Sequence, residues 1–170
     1  GLEGKYLHRL QDSLDWLVSL YNKPESPGEE IRYFAGLVSS ELPLGAVTVL
    51  YLDKNRTVAK HAEWICPGEH AGLETCDGAV LSACLRSLGP GESERLPCGE
   101  NPPELFPVFE KGALAGAFLF WKAGGKAWTA EERKTLRVFS FFAGLSVGRR
   151  ERTSRKELSH FVFNSMLDSL

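Results

Sequence analysis

The sequence predicts an α+β fold, an antiparallel sheet with helices beside it. Three observations carry this. Leu7, Leu10, Leu14, Leu17 and Tyr21 step by threes and fours, the spacing of a helical seam. "GAVTVLYLD" (45–53) is β-branched and apolar on both parities, as in a strand buried on two sides. The elements then follow as helix–helix–strand–strand–helix–strand–strand–helix, which places helices beside an antiparallel sheet.

Residues 3–22 form the first predicted helix, with a seam as narrow as a coiled coil or bundle uses. "KPESPG" (23–28) breaks it with two prolines. A second helix spans 29–42 through Ile31, Phe34, Leu37 and Val38, and Pro43 ends it. "DKNR" (53–56) reads as a hairpin turn between strands 45–53 and 57–65. After a loop, "AVLSACLRSL" (79–88) makes a short helix, and 89–104 is loop with a brief strand at 94–96. "FPVFEKGALAGAFLFWK" (106–122) supplies two strands, about 105–110 and 113–122, hinged at Lys111 and Gly112. Thr129 with Glu132 three residues on has the form of a capping box, opening a long helix through Leu136, Phe139 and Phe142.

With 170 residues the chain holds one domain plus extensions. A net charge of -2 offers no basic footprint for nucleic acid. No apolar run approaches the roughly 20 residues that span a bilayer. Nothing reads as a signal peptide, so a cytoplasmic protein without membrane attachment is expected. Cys66, Cys76, Cys84 and Cys98 are separated by nine, seven and thirteen residues, without a CxxC pair. GxSxG, HExxH and Walker A patterns do not occur. No catalytic residue and no metal ligand set is therefore assigned, and no cofactor is required by the sequence. His61 reads as an edge or surface histidine, and His70 sits in the 66–78 loop.

The order of elements and the stretch "LFPVFEKGALAGAFLFWKAGGKAWTAEERKTL" (105–136) resemble the GAF domain family. The shared pattern is a strand, a glycine turn, a second strand and an acidic start to a long helix. "AVTVLYLDKNRTVAKHAEW" (46–64) is similar to the family's opening hairpin. The resemblance covers residues 28–148, and its middle, 66–104, matches mainly in length and order. PAS is the nearest competing fold. The resemblance implies a central antiparallel sheet of five to six strands. N- and C-terminal helices pack on one face, and a short helix and loops cap the other around a small-molecule pocket. Residues 1–27 are then an N-terminal linker helix, 28–148 the domain, and 149–170 a linker helix leading to a downstream output or PAS-type domain.

By that architecture the ligand-binding wall is expected at Trp64, His70, Val80, Cys84, Cys98, Phe106 and Phe118. The NKFDE sequence of cyclic-nucleotide binders is absent, and no cysteine is followed by the histidine of bilin binders. The four cysteines populate the stretch used by free-methionine-sulfoxide reductase members. A redox, iron–sulfur or metal role is thus one alternative, and haem ligation by His70 another. The surplus apolar seam implies a parallel homodimer through Leu7, Leu10, Leu14, Leu17, Tyr21, Phe139, Ala143 and Val147. Packing of the two end helices within one chain is the alternative. The expected function is a sensory or regulatory input domain of a signalling protein such as a histidine kinase, a sigma-54-type regulator or a cyclase. Its competitor is a dimerisation module with a solid core. "LSHFVFNSML" (158–167) lacks the acid, Arg and Pro that should follow a phosphoacceptor histidine, so His160 is not assigned that role.

Overall fold

The computed structural model describes residues 27–97 and 99–147. Helix α1 (Pro27–Ser39) is followed by strands β1 (Leu44–Leu52) and β2 (Val58–Ile65), helix α2 (Gly78–Ser87), strands β3 (Glu94–Arg95), β4 (Glu104–Glu110) and β5 (Ala113–Lys122), and helix α3 (Ala130–Val147). The strands form one antiparallel sheet in the order β2-β1-β5-β4-β3. Each element expected within the described residues is present within a residue or two, except that α1 stops three residues before the expected end; the expected helices at 3–22 and 149–170 lie outside the described residues. Two 3-10 turns, Leu73–Thr75 inside the expected 66–78 loop and Ala123–Gly125 after β5, add to the expected elements.

Local chemistry explains the boundaries. Asp53 Oδ1 accepts hydrogen bonds from Asn55 N (2.9 Å) and Thr57 N (3.0 Å), an Asx turn that closes the β1–β2 hairpin and leaves Arg56 at φ 60°. Lys111 and Gly112 both have positive φ (50° and 79°) between the paired residues Glu110 and Ala113. This is the two-residue turn whose twist suits a hairpin, and glycine meets its second position without strain. At α3 the capping box is complete. Glu132 N donates to Thr129 Oγ1 at 3.2 Å, and Thr129 N donates to Glu132 Oε1 at 2.9 Å.

The sheet has apolar side chains on both sides. On one, α1 and α3 lie over Val47, Val49, Phe106, Val108, Phe118 and Phe120. Phe34 of α1 is the hub, with ring centroids 5.0 Å from Phe118, 6.0 Å from Phe120 and 6.3 Å from Phe139 of α3. Burying rings of this size is worth several kcal/mol each, about 3–5 for Phe→Ala in a packed core. On the other side α2 lays Leu81, Cys84, Leu85 and Leu88 over Ala46, Leu50, Leu105, Ala117, Leu119 and Trp121. Shielding is thorough for β1, β4 and β5; β2 and β3, at the edges, are exposed along much of their length. Among the described residues, no helix is long and apolar enough to cross a membrane.

Candidate functional site

A strand sends alternate side chains to opposite faces. Phe106 and Phe118 are register partners across β4 and β5, so they share a face, and it is the face under α1 and α3. Trp64 packs against the same aromatic cluster. These three are therefore corrected: they belong to the helix-side core and are separated by the sheet from the capped face. Cys84 is on the capped face, Val80 is half-buried in the first turn of α2, and His70 is exposed on the loop after β2. Cys98 lies outside the described residues. The strand residues that do look toward the cap are Ala46, Leu50, Leu105, Ala117, Leu119 and Trp121. Both parities of β5 are apolar, so nothing in its composition tells one face from the other. Counting by twos from the Lys111–Gly112 turn would not have found it, because a register shift between Val108 and Phe109, which pair with Gly116 and Leu114, puts Leu114 on the capped face and Phe118 on the other.

The expected dimer contacts divide similarly. Phe139 and Ala143, 3% and 1% exposed, are corrected to members of the domain's own core, Phe139 against Phe34. The outward aromatic on this helix is Phe141, 41% exposed. Leu7, Leu10, Leu14, Leu17 and Tyr21 lie outside the described residues, as does the side chain of Val147.

The cap is held to the sheet largely by side chains. Asp77 caps the start of α2, Oδ1 accepting from Ala79 N at 2.8 Å and Val80 N at 3.2 Å. At its other end the Arg56 guanidinium donates to the carbonyls of Leu85 (3.1 Å), Arg86 (3.0 Å) and Leu88 (3.4 Å). A cation there satisfies otherwise unpaired carbonyls and opposes the negative end of the helix dipole. Arg56 thus ties the β1–β2 hairpin to α2. The loop after β2 is pinned by Glu63, whose Oε2 accepts from Thr48 Oγ1 at 2.5 Å and from Leu73 N at 2.6 Å. Gly72 passes so close that a Cβ there would sit 2.9 Å from Ile65 Cδ1 and 3.1 Å from Glu63 Oε1. Only glycine fits.

Cys84 Sγ donates to Glu94 Oε2 at 3.0 Å. Burial, then the hydrogen bond to Glu94 and its charge, push the thiol up to about 12. A thiol held protonated at neutral pH is a poor nucleophile and a poor metal ligand. Cys66 and Cys84 form no disulfide among the described residues. Among the described residues, no three His, Cys, Asp or Glu side chains are grouped as a metal site would need.

The last row of the sheet is the least conventional part of this face. Ile65, Ala46 and Trp121 pair side by side across β2, β1 and β5. The loops leaving β2 and entering β4 approach one another, where a Cβ on Gly99 would lie 3.5 Å from Thr75 O. Trp121 is 0% exposed, and its Nε1 has no hydrogen-bond acceptor among the described residues. Trp128, by contrast, donates from Nε1 to Phe120 O at 3.0 Å on the helix side.

This architecture recurs in solved structures. The GAF domain of an Acinetobacter phosphoenolpyruvate-protein phosphotransferase superposes with a TM-score of 0.50 at 14% identity, over 81% of this chain and 91% of that one. The fold is that of a GAF domain. A GAF domain/HD domain protein from Geobacter sulfurreducens gives 0.50 at 17% identity over 72% and 92% of the two chains. A methyl-accepting chemotaxis protein gives 0.50 at 15% identity over 77% and 94%. No family model matches the sequence, and no curated protein matches it. At such identities the GAF likeness is one of backbone arrangement, and the side chains under the cap are this chain's own.

Proposed function

We propose that this GAF domain is a regulatory input module of a cytoplasmic signalling protein. It binds a small molecule between the sheet and its cap and passes the change outward through α3. The observation that carries the reading is the unequal attachment of the two layers. The helix side is joined through an aromatic-rich core spanning α1, α3 and four strands. The cap rests on Arg56, Glu63 and the Cys84–Glu94 bond in addition to apolar packing. A layer held by a few side-chain bonds can shift as a unit, and a ligand preferring one position of it biases the whole domain. The similar structures include a phosphotransferase's GAF domain and a chemotaxis protein, which fits a regulatory role. A parallel homodimer through the seam of residues 3–22, and a downstream output or PAS-type domain, complete the proposal. Val80 and Cys84, with His70 on the rim, are its ligand-side residues.

Thermal-shift screening against a broad metabolite library, with light scattering of the same sample, tests it. At least one compound should raise the melting temperature, and the chain should run as a dimer. A library without a binder overturns the sensor, and a monomer overturns helix-mediated output.

One observation favours a second reading, a dimerisation module that binds nothing. Leu50, Leu85, Leu96, Leu105 and Leu119 are at most 1% exposed and fill much of the capped face. Xenon-induced NMR shifts confined to the domain surface, together with intact dimers, would decide for it.

A further inference from the structure

The unsatisfied Trp121 indole needs an explanation that packing does not supply. A buried donor without an acceptor costs about 1–3 kcal/mol, and native interiors hold few such groups. Its surroundings restrict what would satisfy it. Ala46 beside it in the end row is small, and Leu119 and Leu105 on the same face are apolar. The acidic groups joined to the cap's polar contacts are Glu63, Asp77 and Glu94. The guanidinium of Arg56 is spent on the carbonyls of α2. An anion entering here would meet negative charge in a low-dielectric site without a free cation from these groups, an unfavourable desolvation.

We infer that the end of the capped face, at Trp121, takes an uncharged and mainly apolar molecule carrying one hydrogen-bond acceptor, such as a ketone, ester or amide carbonyl. The indole N–H donates to that acceptor, and the remainder of the molecule lies against the apolar side chains under the cap. A mostly apolar wall with one placed polar group is the usual form of a small-ligand site. This rests on the ligand-binding reading above and names its chemical class; phosphates, nucleotides and carboxylates are excluded from it.

The test uses the 170-residue chain, isotope-labelled, with three probes of similar size: acetophenone, ethylbenzene and benzoate. Proton–nitrogen spectra follow the backbone amides and the Trp121 indole signal, assigned through Trp121→Phe. Acetophenone should move that indole resonance and the amides of the row it occupies. Its Kd should be about tenfold tighter than that of ethylbenzene, the value of one hydrogen bond, and Trp121→Phe should erase the difference. Benzoate should move no capped-face signal. The ethylbenzene comparison needs no variant, so it holds even if Trp121→Phe folds poorly. Binding of acetophenone that is equal in wild type and Trp121→Phe, or tighter binding of benzoate, overturns the inference and leaves the sensor reading standing. Silence from all three probes also overturns it, and the library screen described above then decides separately whether any sensor remains.

Discussion

Lys122 Nζ lies 2.8 Å from Glu132 Oε1, with 15% and 17% of the two side chains exposed. Lys122 follows Trp121 at the end of β5, and Glu132 belongs to the capping box of α3. One residue of strand therefore separates the capped face from the start of α3. A displacement of the Trp121 row has a short, charged connection to α3.

That ion pair should be measurable. Burial resists ionisation of Glu132, yet the hydrogen bonds with Lys122 and Thr129 outweigh it and hold the carboxyl below its ordinary 4.5. A lowered carboxyl stabilises the fold above the ordinary carboxylate range and loses that contribution as pH falls through its folded value. Glu132→Gln should cost about 1 kcal/mol at pH near 7 by urea denaturation. The gap to wild type should close in acid, below the ordinary value of 4.5. A gap that persists unchanged in acid would show that shape, and not charge, holds the pair.

Arg56→Ala removes the donor to the last carbonyls of α2. Hydrogen exchange of α2 amides should rise about tenfold, since hydrogen bonds from a charged donor contribute roughly 1.5–3 kcal/mol. Amides of β1 and β5 should keep their protection. Equal acceleration everywhere would mean that the cap does not open separately from the sheet.

Cys84 should resist iodoacetamide at mildly alkaline pH in the folded protein and react once urea unfolds it, as followed by mass spectrometry. With the thiol pushed up to about 12 by burial and by Glu94, little thiolate exists to attack. Glu94→Gln removes the carboxylate's share of that shift and should speed the reaction. Rapid labelling of native wild type would revive a redox role for this cysteine.

Gly144 passes over β4 so closely that a Cβ would stand 3.0 and 3.1 Å from the two methyls of Val108. Gly144→Leu should destabilise by about 1–3 kcal/mol through overpacking. Combining it with Val108→Ala should cost less than the sum of the two single changes, a favourable coupling between residues in contact. Strict additivity would place the strain elsewhere.

Residues near in sequence determined the elements. Asp53, the Lys111–Gly112 pair and the Thr129–Glu132 box act within a few positions of themselves, and each marks its turn or cap where the structure has it. Alternation lost to apolar residues on both parities correctly announced strands covered on two sides. Tertiary structure alone decided which parity met which layer. Phe118 and Leu119 are equally apolar, and only the docking of α1 and α3 sends Phe118 toward Phe34 and leaves Leu119 under α2. The same choice put Trp121 under the cap with its N–H unanswered and sank Phe139 and Ala143 into the core. Burial is non-directional and rewards either face alike, so apolar pattern specifies that a side chain is hidden and leaves its neighbours to the packing of distant segments.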